Sequence, residues 1–119
     1  MKPGAKILVI DDNREFRSIL VDVLEGTGFQ VFEAENGEEA LEVMRLTPVQ
    51  MAIVDLDMPK MNGIEFSRRA KAVNPRFPII MVTAFAQFYS PADVLSAGVD
   101  AFLQKPVDLD RLSKAIEAM

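Results

Sequence analysis

Short apolar runs alternate with amphipathic stretches along the whole chain. The runs Lys6–Ile10, Gln30–Ala34, Met51–Val54, Pro78–Val82 and Ala101–Gln104 read as five strands, and all but the second read as buried ones. Between them lie helical patterns. Asn13–Glu25 places Phe16, Leu20, Val23 and Leu24 on one stripe, and Gly26 and Gly28 end it. Asn36 followed by Glu39 is a capping-box pattern, opening a helix that runs to about Leu46 before Pro48. After the turn-rich Pro59–Gly63 segment, a helix from about Ile64 to Val73 turns Phe66, Ala70 and Val73 to one side. Ser90, Pro91 and Asp93 are the N-cap, first position and first-turn acid of a fourth helix ending at Gly98. The last helix directs Leu109, Leu112 and Ile116 inward.

Five β-α units in sequence predict a doubly wound α/β domain with a parallel sheet and helices on both faces. Acidic residues follow strands one and three, so these strands are expected to be neighbours, with strand two outside strand one. The switch point, where such sheets bind ligands, then lies between strands one and three. No repeat, linker or low-complexity tract interrupts the pattern, and a single domain over residues 1–119 is expected.

Composition narrows the chemistry. The chain has no cysteine, which removes disulfides and thiolate metal sites, and no histidine, which removes the usual general base and any phosphohistidine of its own. A formal charge of −5 opposes direct nucleic-acid binding. No apolar stretch would span a bilayer and no signal-peptide pattern opens the chain, so no membrane role and a cytoplasmic location are expected.

Polar residues stand where the apolar runs stop: Asp11 and Asp12, Asp55, Thr83 and Lys105. Singly, each has a plain reading as a cap, a turn residue, a strand-end threonine or a solvated lysine. Adjacent acids at a buried strand end repel each other, and a bound cation is the better account of the pair. Three carboxylates, a hydroxyl and an ammonium converging at one sheet edge suit a divalent cation and a phosphoryl group. Met58 and Met61 read as loop packing, and Arg68, Arg69 and Lys71 as a solvated helix face.

The series Asp11-Asp12, Asp55 with Met58-Pro59 and Gly63, Thr83-Ala84 and Lys105-Pro106 resembles the receiver domain of bacterial two-component response regulators, over Lys6 to Ile116. The resemblance implies a flavodoxin-like (CheY-like) sheet in order 2-1-3-4-5 with five helices. It implies a phosphorylatable switch, not an enzyme, with Asp55 as acceptor of a phosphoryl group from a sensor histidine kinase or phosphotransfer protein. Mg2+, or Mn2+ in its place, would be held by Asp11, Asp12, Asp55 and the backbone carbonyl of Asp57. Lys105 and Thr83 would contact the phosphoryl group, Phe102 would be the switch aromatic, and the Lys105–Pro106 bond would be cis and help aim Lys105. Asp57 and Phe85 would flank the path of the hydrolytic water and slow its attack. Charges expected on a symmetric dimer face are only partly present: Asp100 and Arg111 stand, but Ala101 and Ala115 replace others. The output domain or downstream target is not named by these residues.

One alternative comes from another class. Asp55-Leu56-Asp57 resembles the nucleophile motif of Mg2+-dependent haloacid-dehalogenase phosphatases. It follows the third strand rather than the first, and 119 residues leave no room for a cap domain.

Overall fold

The computed structural model describes residues 1–84 and 89–119. Five strands, β1 (Lys6–Ile10), β2 (Gln30–Ala34), β3 (Met51–Asp55), β4 (Ile79–Thr83) and β5 (Ala101–Gln104), form one parallel sheet in the order β2-β1-β3-β4-β5. The expected topology is therefore the observed one. The helices between and after them are α1 (Arg14–Gly26), α2 (Gly37–Leu46), α3 (Gly63–Val73), α4 (Pro91–Ser96) and α5 (Leu109–Glu117).

Period-2 alternation divides the core between the two sheet faces. Leu8, Ile10, Ala52, Val54, Ile79 and Met81 point to one side, where they meet Ala40, Phe66, Ala70 and Val94 from α2, α3 and α4. Ile7, Val9, Met51, Ile53, Ile80 and Val82 point to the other, against Leu20 and Leu24 of α1 and Leu112 and Ile116 of α5. Burial on both faces explains why the central strands are continuous apolar runs.

Caps set where the helices begin. Asn13, Asn36 and Asn62 each accept the N–H three residues on, at 2.8–3.0 Å. Glu39 returns its carboxylate to the N–H of Glu35 rather than of Asn36, so the capping box reaches one residue further back than expected.

Three expectations about burial need correction. β5 is an edge strand, and its residues alternate between half-buried and exposed instead of being buried throughout. Val73 is 83% exposed, because it lies in the last turn of α3 while Phe77 supplies the buried side chain beyond that helix. Leu109, first in α5, is exposed, leaving Leu112 and Ile116 as its core contacts. Met58 and Met61 pack into the core as expected. In the basic cluster of α3, Arg68 and Arg69 are exposed, whereas Lys71 folds down to pair with Asp100 at 2.9 Å. Asp100 also accepts the N–H of Ile79, so this carboxylate ties α3 to the sheet.

Candidate functional site

Register brings the strand-end residues together. Ile10 lies opposite Val54 in the β1–β3 ladder, so Asp11 and Asp55, one residue on, reach the same level. Asp55 lies opposite Val82, which lies opposite Leu103, so Thr83 stands one residue and Lys105 two residues beyond the level of Asp55 at the same end of the sheet. Backbone bonds hold these ends: Asp11 N–H to Ala34, Leu56 N–H to Val82 and Lys105 N–H to Thr83.

Carboxylate oxygens of Asp11, Asp12 and Asp55 lie within 4.8 Å of one another, a spacing that could hold a metal ion. Asp11 and Asp55 are buried, while Asp12 is exposed and gives the cluster its open side. Lys105 Nζ donates to Asp11 at 2.8 Å, stands 3.7 Å from Asp55, and lies 4.1 Å from the centre of the Phe16 ring. Burial, reinforced by the charge of Asp11, pushes the Asp55 carboxyl up to about 7 against the opposing pull of Lys105. Three hard oxygen donors, one of them resisting ionisation until positive charge arrives, fit a small divalent cation.

Asp11 is itself positioned by its neighbours. Its carboxylate accepts the N–H of Asn13 at 2.8 Å, which serves α1 in place of the cap considered for Asp11. Its carbonyl accepts from Arg17 at 2.6 Å, and the same guanidinium donates to Glu33 at 2.9 Å. Arg17 is buried, which the sequence reading missed. The signal was its place one turn before Leu20 and two before Leu24, on the inward side of α1.

Thr83 is fully buried and donates its hydroxyl to the Asp57 carboxylate, which also accepts from the Tyr89 phenol. The Asp57 N–H in turn donates to Asp55 at 3.3 Å. Tyr89 was not anticipated. The bond to Asp57, then burial, then the charges of Asp57 and Asp55 push its phenol up to about 12. Phe102 stands apart from the carboxylates on the edge strand, 37% exposed, lining a groove with Tyr89 and Val94. The Lys105–Pro106 bond is cis, as expected. Phe85, expected near the path of water, lies outside the described residues. No helix among the described residues is long and apolar enough to cross a membrane.

Residues 7–117 match the family model of the response regulator receiver domain. The chain is 37% identical over 111 residues to the transcriptional regulatory protein ZraR of Salmonella typhimurium, covering 93% of this chain and 25% of that protein. It thus spans about a quarter of that relative's length. It is 35% identical over 112 residues to the chemotaxis protein CheY of Bacillus subtilis, covering 93% of each. A solved CheY-like response regulator receiver domain from Methanospirillum hungatei superposes with a TM-score of 0.90 at 30% identity, covering 96% of this chain and 91% of that one. Fold, site layout and sequence agree, and the chain belongs to the response regulator receiver domain family.

Proposed function

We propose that this domain is a phospho-accepting switch of a two-component system, with Asp55 as the acceptor. The observation that carries the reading is the cluster of Asp11, Asp12 and Asp55 with the Lys105 ammonium beside it. The Asp55 carboxylate attacks phosphorus, the P–N bond to a partner's phosphohistidine breaks, and the imidazole leaves with the electron pair. Asp11, Asp12, Asp55 and the Asp57 backbone carbonyl would hold Mg2+ or Mn2+, which neutralises phosphoryl charge when bound. Lys105 offers a point charge to a phosphoryl oxygen, and Thr83 offers a hydroxyl. Phe102, three residues before Lys105 and four before Pro106, and on the exposed face of β5, would report the change outward.

The phosphoryl donor would be a sensor histidine kinase or a phosphotransfer protein, acting in the cytoplasm. The output partner would be a protein or a linked domain, with no direct contact to nucleic acid or membrane by this one. The family match speaks against the haloacid-dehalogenase alternative.

Mass spectrometry after incubation with acetyl phosphate and magnesium is expected to show one phosphate on the parent and none on Asp55→Asn. Undiminished incorporation in the variant, or none in the parent, would sink the reading. Thermal melts probe the cation separately. Magnesium about 100-fold above its dissociation constant should stabilise the parent by about 2.7 kcal/mol. Asp12→Ala should melt at nearly the same temperature with and without magnesium, and an equal magnesium shift in both proteins would rule out coordination by Asp12.

A further inference from the structure

Asp57 sits two residues beyond the acceptor, yet its side chain faces the other end of the site. One carboxylate oxygen accepts from the Thr83 hydroxyl and the other from the Tyr89 phenol. Its backbone N–H is bonded to Asp55 itself. Tyr89 also lines the groove of about 510 Å3 that includes Val94, Leu95, Val99 and Phe102. A short polar chain therefore runs from the acceptor to an apolar surface groove through a single carboxylate.

We propose that the Asp57 side chain is a latch that holds Thr83 and Tyr89 in the resting domain and that a phosphoryl group on Asp55 opens. This rests on the phospho-acceptor reading given above. The physical case is a competition for one hydroxyl. A phosphoryl group brings a charge of roughly −1.5 to −2 and three strong acceptor oxygens. It draws the Thr83 hydroxyl away from Asp57, since a hydroxyl proton serves one strong acceptor at a time. The same charge repels the Asp57 carboxylate, which is tethered to Asp55 by its own backbone. Tyr89 donates to the other oxygen of that carboxylate and parts from it as the carboxylate moves. That parting changes the wall of the groove. Asp57 thus acts as a positioning residue for Thr83, setting how readily its hydroxyl is given up.

The chain carries one tyrosine and no tryptophan, so its intrinsic emission reports Tyr89 alone. A phenol hydrogen-bonded to a carboxylate is quenched. Beryllofluoride with magnesium serves as the phosphoryl mimic. Emission of the parent should rise on binding, whereas Asp57→Ala should start at the raised level and stay there. Affinity for beryllofluoride is then measured in a cycle of parent, Asp57→Ala, Thr83→Ala and the double variant. Losing the Asp57 charge tightens binding in both backgrounds, but only with Thr83 present does it also remove an acceptor that competes for its hydroxyl. The gain from Asp57→Ala should be about tenfold larger with Thr83 than without it, ~1.4 kcal/mol of coupling. Asp57→Asn, which keeps the shape and weakens both bonds, should give a smaller coupling of the same sign. Additive effects in the cycle, or unchanged emission when the parent binds, overturn the latch alone. Failure of the parent to bind beryllofluoride overturns the phospho-acceptor reading, and the latch with it.

Discussion

Gly63→Ala is expected to destabilise the domain by about 3 kcal/mol and to lower phosphate incorporation at Asp55. Gly63 opens α3 with its N–H bonded to the Leu56 carbonyl at 3.0 Å. A Cβ there would lie 2.6 Å from the Asp55 carbonyl oxygen and 2.9 Å from the Leu56 Cα. Both are backbone atoms at the end of β3, so neither can swing aside without moving the acceptor. Gly37→Ala is the informative control. Its Cβ would meet the sulfur, Cγ and Cβ of Met61 at 2.7, 2.9 and 3.1 Å, a side chain and no backbone atom. The Met61 side chain can turn where backbone cannot, so Gly37→Ala should cost clearly less than Gly63→Ala. Urea melts separate the two: the midpoint should fall far more for Gly63→Ala, with the slope unchanged. Equal losses at both positions would show that the close approach of α3 to β3 is not what matters.

Metal-free stability should fall as pH rises from about 4 to about 7, and Asp55→Asn should remove that fall. The sign follows from the acceptor's environment. Asp55 takes up its proton near pH 7 in the folded domain but near its ordinary 3.8 when unfolded. Between those values the folded state binds more protons, so each step upward in pH favours unfolding. The penalty is absent below about pH 4 and complete above about pH 7. Screened by solvent, it should make Asp55→Asn more stable than the parent on the order of 2 kcal/mol at pH 8. The chain has no histidine, so no imidazole titrates in the same window. Chemical denaturation of parent and variant across this range, without divalent cations, reads the difference directly. Parallel pH profiles would contradict the strained carboxylate.

Where hydrophobic pattern and position agreed, the sequence was a reliable guide. The central strands are buried on both faces, so their side chains are apolar whichever way they point, and the polar residue that ends each run marks the sheet edge. That is why Asp11, Asp55 and Thr83 were legible without coordinates, and Lys105 ends the apolar run of the edge strand in the same way. The pattern said less where an element is only half covered. Leu109 and Val73 obey helical spacing, yet they sit in terminal turns that reach past the sheet. β5 looks as apolar as β4 because a four-residue run holds too little alternation to separate an edge from a centre. Charged residues were the hardest to place. Arg17 is buried because its bonds go to a backbone carbonyl and to Glu33, partners set by the fold and not by spacing along the chain. Tyr89 reaches Asp57 across 32 residues, a distance at which no local rule applies.

The bridge between Lys105 and Asp11 has a consequence for how the fold is closed. Its partners are 94 residues apart, and in the sheet β3 and β4 stand between the strands that carry them. The pair can form only after every intervening strand has taken its place, so it is a property of the finished sheet and of no fragment. β5, the edge strand with the least cover, is anchored at its end to the sheet's middle by that pair. Charge performs there the joining task that side-chain burial performs lower down. A truncated chain lacking the last unit would therefore lose more than an edge: the acidic cluster would stand without its internal cation.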